Sequence, residues 1–121
     1  MSNRAKKRKE EQYKRALARI MEMETRDQLF EFATVTEVDL SPDFMYAKVF
    51  VDVPGELEQG EKAVDKMNED EGFFRARIAE EVDPRYTPEL DFKLDRSRAE
   101  VEKIERIIRE DRDNQAEGGN S

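Results

Sequence analysis

Between Thr34 and Val53 the chain alternates with the period of paired strands. Ala47, Val49, Val51 and Val53 fall on one face, and Tyr46, Lys48, Phe50 and Asp52 on the other, because successive side chains of a strand point to opposite sides. The preceding run, Thr34-Val35-Thr36-Glu37-Val38-Asp39-Leu40, is rich in β-branched residues, and Thr36, Val38 and Leu40 alternate with Val35, Glu37 and Asp39. Ser41-Pro42-Asp43 between them is turn chemistry: proline fixes φ, while Ser and Asp bond to nearby backbone. Two strands joined by so short a turn make a hairpin with one apolar face.

What covers that face is readable on either side of it. From about Lys9 to Met23, Tyr13, Ala16, Leu17, Ile20 and Met21 form the stripe of an amphipathic helix, with Lys14, Arg15 and Arg19 on its other side. After Pro54-Gly55, Leu57, Ala63, Val64 and Met67 have helical spacing, and beyond Asn68-Glu69-Asp70-Glu71-Gly72 the stripe resumes as Phe73, Phe74, Ile78 and Val82. Gly72 is expected to break one helix from the next, since glycine takes positive φ without steric cost. Asp83-Pro84 ends the second of these helices. Leu90, Phe92 and Leu94 alternate with Asp91, Lys93 and Asp95 as a third strand, and Ser97-Arg98-Ala99-Glu100 reads as a capping box opening a last helix. That helix carries Val101, Ile104, Ile107 and Ile108, and is expected either to pack through Ile104 and Ile108 or to be partly mobile.

The order α-β-β-α-break-α-β, with an extra C-terminal helix, predicts an α+β domain: a three-stranded sheet with helices on one face. Val49, Val51, Leu90 and Phe92 should be buried against Leu17, Ile20, Phe74 and Ile78. The expected division is a basic N-terminal arm at 1–8, the domain at 9–96, a C-terminal helix at 97–113 and a polar, glycine-rich disordered tail at 114–121.

Composition removes most catalytic chemistries. The chain has no cysteine and no histidine, so it lacks thiolate nucleophiles, imidazole bases and the ligands of thiolate or histidine metal sites. Neither G-x-G-x-x-G nor G-x-x-x-x-G-K-[ST] occurs among its five glycines. Glu69, Asp70 and Glu71 have no calcium-loop spacing around them, and with 30 Asp and Glu some close carboxylate pair is inevitable. The expectation is no enzyme, no cofactor and no metal. No apolar run approaches the roughly 20 residues of a membrane span, and the charged start lacks a signal peptide's apolar core. A soluble, cytoplasmic protein without membrane contact is expected.

Charge points to a partner. The net charge of -8 is split: residues 1–20 hold eight Lys or Arg against Glu10 and Glu11, and the acidic excess lies entirely beyond them. A basic stretch on an acidic protein suits contact with a chosen polyanion, and equally suits a solvated face. Arg75 and Arg77 follow Gly72 at a helix start, where free N–H groups also favour phosphate. Pairing with Glu71, Glu80 or Glu81 on the helix surface explains them as well. Arg85 and Lys93 lie downstream.

Thr34-Val35-Thr36-Glu37-Val38-Asp39-Leu40-Ser41, Asp43 and Tyr46-Ala47-Lys48-Val49-Phe50-Val51 are followed by Gly72-Phe73-Phe74-Arg75 and by Arg85-Tyr86-Thr87-Pro88-Glu89-Leu90 with Phe92, Asp95 and Ser97. In that order and spacing they resemble the ribosome-binding factor A family, bacterial small-subunit assembly factors with a K-homology-type fold, over residues 13–108. Asp70 stands where the family usually has Ala, and Asp27-Gln28-Leu29 where it usually has Asp-Pro-Arg. As in that family, no G-x-x-G loop is present. The resemblance implies a monomeric, type II-like K-homology domain whose third strand lies beside the first. It also implies binding to the immature 30S subunit through 16S rRNA, assisting late rRNA processing and maturation. The RNA contacts it suggests are Lys6, Lys7, Arg8, Lys9, Lys14 and Arg15 of the arm and first helix, Lys48 on the second strand, and Arg75, Arg77 and Arg85 around an interhelical kink at Asp70, Glu71 and Gly72. The alternative is an acidic protein–protein interaction module with a solubilising basic arm.

Overall fold

The computed structural model describes residues 3–23 and 30–118. In chain order they form α1 (Asn3–Met23), β1 (Thr34–Leu40), β2 (Tyr46–Asp52), α2 (Leu57–Glu69), α3 (Glu71–Glu81), β3 (Glu89–Leu94) and α4 (Ser97–Gly118). The segment Asp27-Gln28-Leu29 lies outside the described residues.

β1 and β2 form the expected antiparallel hairpin, with Val38 opposite Val49 and Leu40 opposite Ala47. Its turn is tied by Ser41, whose N–H donates to the Tyr46 carbonyl at 2.8 Å. The Asp43 carboxylate accepts from the Ser41 hydroxyl at 2.7 Å and the Met45 N–H at 3.1 Å. The strand faces differ from the simple alternation at one point. The pairing shifts between Val35 and Glu37, leaving Thr36 as the extra residue of a bulge. Val35 therefore joins Val38 and Leu40 in the core, while Thr36 turns its hydroxyl to the Asp95 carboxylate at 2.7 Å.

The sheet order is β1-β2-β3. β3 runs parallel to β2, with Ala47 opposite Leu90 and Val49 opposite Phe92, so it extends the hairpin from the second strand and does not lie beside the first. Connectivity and edge chemistry account for this. α2 and α3 supply the crossover that neighbouring parallel strands require. α1 packs along β1, where Glu10 accepts the Leu40 N–H at 2.8 Å. The outer edge of β3 is closed by side chains. Asn68 accepts from the Phe92 N–H at 2.8 Å and donates to its carbonyl at 2.9 Å, and Glu71 accepts the Leu90 N–H at 3.2 Å.

α1, α2 and α3 cover one face of the sheet, and Leu17, Ile20, Val49, Val51, Phe74, Ile78, Leu90 and Phe92 are all buried in one core. The Phe74 ring lies at its centre, 5.0 Å from Phe92 and 6.1 Å from Phe30 between ring centroids. No polar or charged residue among those described is buried.

Four boundaries differ from expectation. The break between α2 and α3 is at Asp70 (φ -94°, ψ 16°), and Gly72 is an ordinary helical residue; of the described glycines only Gly55 has positive φ. α1 begins at Asn3, so residues 3–8 are its first turns and not a separate arm. The first turn of α4 is capped by Asp95, which accepts the Ser97 N–H at 2.9 Å, two residues before the expected capping box. α4 runs on to Gly118, making 114–118 helical, and 119–121 lie outside the described residues. Arg98 anchors α4 by donating to the Asp52 carboxylate at 3.1 Å and the Val53 carbonyl at 3.0 Å. Beyond it Ile104 and Ile108 are 56% and 48% exposed and do not pack on the domain.

Candidate nucleic-acid interface

α1 buries Tyr13, Ala16, Leu17, Ile20 and Met21 and thereby decides where its cations point. Residues seven apart return to nearly the same side of a helix, about 10 Å further along. Lys7 and Lys14 therefore share one line, beside Thr36, Glu37 and Val38 of β1 and with Lys14 half-buried, and Arg8 and Arg15 share another, exposed to solvent. None of these four cations forms an ion pair with the described residues. Lys6 is 3.7 Å from Asp39, and Arg19 pairs with Glu81. The first turn of α1 contains no acidic residue. Cations at that end oppose the helix dipole, typically by about 0.3–1 kcal/mol each at low salt. A bound phosphate would reverse that sign.

Across from the N-terminal half of α1 runs the loop joining α3 to β3. The Tyr13 hydroxyl, buried on α1, donates to the Tyr86 carbonyl at 3.0 Å. Lys9 lies 6.0 Å from the Tyr13 ring centroid. The carboxyl of Asp83 is held below its usual range, first by the Arg85 N–H it accepts and further by the charges of Arg85 and Lys9. Burial, with Asp83 close by, pushes the Tyr13 hydroxyl up. Arg85 projects from this loop with its side chain 80% exposed, 3.6 Å from Asp83. Lys9 and Arg85 thus both lie near Asp83, at the junction of α1 with this loop.

The remaining candidates lie elsewhere or are engaged. Arg75 does not project freely into solvent: it is half-buried and donates to the Thr87 carbonyl at 3.2 Å. Arg77 is 3.4 Å from Glu80 and stacks over Phe73 at 5.4 Å. At the interhelical junction, Asp70 pairs with Lys66 at 3.7 Å, Glu71 closes the β3 edge, and a Cβ on Gly72 would meet nothing within 4 Å. Lys48 is on the face of the sheet turned away from the helices, with Asp39 and Asp91 as its cross-strand neighbours. Among the described residues no three carboxylates come together as a metal would need. No described helix is long and apolar enough to cross a membrane. Tyr86, 66% exposed beside Arg85, carried no expectation of its own. Lying between Pro84 and Pro88 it reads as loop, and its only signal was the adjacent arginine.

A three-stranded mixed sheet with helices on one face and a broken helical crossover defines a K-homology-like α+β domain. A family model described as Ribosome-binding factor A matches residues 5–108. The chain belongs to the ribosome-binding factor A family. It is 42% identical over 94 residues to ribosome-binding factor A of Thermomicrobium roseum, covering 78% of this chain and 73% of the relative. Among solved structures it is similar to the crystal structure of ribosome-binding factor A from Thermus thermophilus, with a TM-score of 0.64 and 32% identity over 74% of this chain and 94% of that one. It is also similar to a homology model of the Thermus thermophilus factor fitted into the cryo-EM map of a 30S complex, with a TM-score of 0.61 and 31% identity over 72% of this chain and 91% of the other.

Proposed function

We propose that this protein is a non-enzymatic assembly factor that binds the immature 30S subunit as a monomer in the cytoplasm. In this reading it contacts 16S rRNA and assists late rRNA processing and maturation. The observation that carries the proposal is the basic face of α1, where Lys7, Arg8, Lys14 and Arg15 stand without ion-pair partners among the described residues, on a protein of net charge -8. Membership of a family with a member fitted into a 30S complex supports it. Lys6 is held toward β1 by Asp39, and Lys9 and Arg85 lie by Asp83 at the junction of α1 with the α3–β3 loop. Arg75 and Arg77 would contribute only by exchanging Thr87 and Glu80 for phosphate, and Lys48 only from the opposite side of the sheet. The acidic remainder would repel RNA that does not present phosphates in a matching shape.

Sedimentation with free immature small subunits and with whole ribosomes tests this: the protein should travel with the former and not the latter. The exposed apolar stripe of α4 favours a second reading, a protein-interaction module whose basic face only keeps it soluble. On that reading, reversing Lys7, Arg8, Lys14 and Arg15 to Glu leaves co-sedimentation undiminished; on ours it is lost.

A further inference from the structure

The loop between α3 and β3 is held from several directions at once. Tyr13 of α1 binds the Tyr86 carbonyl at 3.0 Å, and Arg75 of α3 binds the Thr87 carbonyl at 3.2 Å. Within the loop, the Asp83 carboxylate accepts the Arg85 N–H at 3.0 Å, and the Thr87 hydroxyl donates to the Asp83 carbonyl at 3.1 Å. Pro84 and Pro88 restrict the backbone on either side, and Pro88 is fully buried. All of these ties go to backbone or to Asp83. None uses the Tyr86 side chain, which is 66% exposed and has no hydrogen-bond partner among the described residues. A fixed backbone therefore presents a free aromatic ring.

The neighbours of that ring select what it fits. Arg85 is the adjacent residue and is 80% exposed. Lys9 sits beside Tyr13, whose hydroxyl holds residue 86 in place. A protein-docking site would surround the ring with further apolar surface, whereas the residue beside this one is the exposed Arg85, and Lys9 and Arg85 both bear on Asp83 of the same loop. Unpaired RNA bases are recognised by stacking on aromatic side chains while cations hold the adjoining phosphates. We infer that Tyr86 is a stacking platform for one unpaired nucleotide of RNA, with Arg85 and Lys9 meeting its flanking phosphates. The braced loop loses little conformational freedom on binding, which favours the complex. The inference rests on the RNA-binding reading above and adds the class of RNA feature recognised, an unstacked base and not a continuous duplex.

Binding of the full chain to purified immature 30S subunits, titrated at several salt concentrations, tests it. Tyr86→Phe keeps the ring and should bind as the unaltered protein does. Tyr86→Leu and Tyr86→Ala should each weaken binding about 5- to 150-fold, the range found when a stacked base loses its aromatic partner. The salt dependence should not change, because no phosphate contact is removed. Circular dichroism should be unchanged in all three, since the Tyr86 carbonyl and not its ring is structural. Binding by the Tyr86→Leu variant equal to that of the unaltered protein would overturn the stacking role, as would undiminished binding by the Tyr86→Ala variant. Lys14→Glu with Arg15→Glu serves as the control: if that pair also leaves binding intact, the α1 RNA-binding face proposed above fails, and not only this inference.

Discussion

The Arg75 guanidinium is half-buried and donates to the Thr87 carbonyl, whereas Arg85 keeps 80% of its side chain in solvent with one loose contact to Asp83. Equal charges in such different settings should respond differently to truncation. Arg75→Ala removes a hydrogen bond from a charged donor that braces the α3–β3 loop, and should cost about 1–3 kcal/mol of stability. Arg85→Ala should stay within about 0.5 kcal/mol. Urea unfolding of the two variants separates a bracing arginine from one free to meet a ligand. The sequence could not tell them apart, because each is an arginine next to an aromatic residue, Phe74 or Tyr86, and the Thr87 carbonyl is 12 residues from Arg75 along the chain. Gly72 shows the complementary difficulty. Glycine permits positive φ without requiring it, and here Asp70 makes the turn from a conformation open to any residue. With nothing within 4 Å of its missing Cβ, Gly72→Ala should stabilise the protein by about 0.5–1 kcal/mol through helix propensity alone. A fall in thermal midpoint would mean that the junction does need glycine.

At the scale of elements, what was legible was what periodicity encodes. The alternation of Ala47, Val49 and Val51 and the stripe of Tyr13, Leu17 and Ile20 placed β2 and α1 with their buried faces correct. The first turns of α1 escaped because residues 3–8 hold Arg, Lys and Ala, good helix formers with no apolar period to show it. The position of β3 escaped for a different reason. Strand order depends on which edges are already occupied, and the occupants of the β3 edge, Asn68 and Glu71, are polar residues on helices. α4 is the element that stands apart: Val101, Ile104, Ile107 and Ile108 are 48–56% exposed, and its anchor is Arg98. Removing residues 101–121 should therefore leave the urea midpoint of the remaining domain unchanged. A clear drop would show that this stripe packs on the domain in solution.

Over the whole molecule, the charge split visible in the sequence becomes a spatial one: cations along α1, and carboxylates such as Glu37, Asp39, Glu89 and Asp91 on or beside the open sheet face. Only part of the candidate site could be read from sequence for this reason. Spacing placed Lys7 with Lys14 and Arg8 with Arg15, but whether Arg77 meets Glu80, or Lys48 lies between two aspartates, is decided by tertiary neighbours. The arrangement makes a quantitative expectation for salt. Each neutralised phosphate releases counterions, giving a slope of log K against log salt of about -0.7 to -0.9 per contact. If α1 and Arg85 together engage about five phosphates, the slope should be roughly -3.5 to -4.5 between about 50 and 200 mM salt. Lys14→Glu with Arg15→Glu removes two of these contacts, and neither residue forms an ion pair with the described residues. The helix should stay folded while the slope flattens by about 1.4–1.8. Arg77→Glu, already balanced by Glu80, should change the slope by less than one contact's worth. Measuring 30S association of the three proteins across that range decides whether the electrostatic contact lies on α1. A slope unaltered by the α1 pair but flattened by Arg77→Glu would move it to α3.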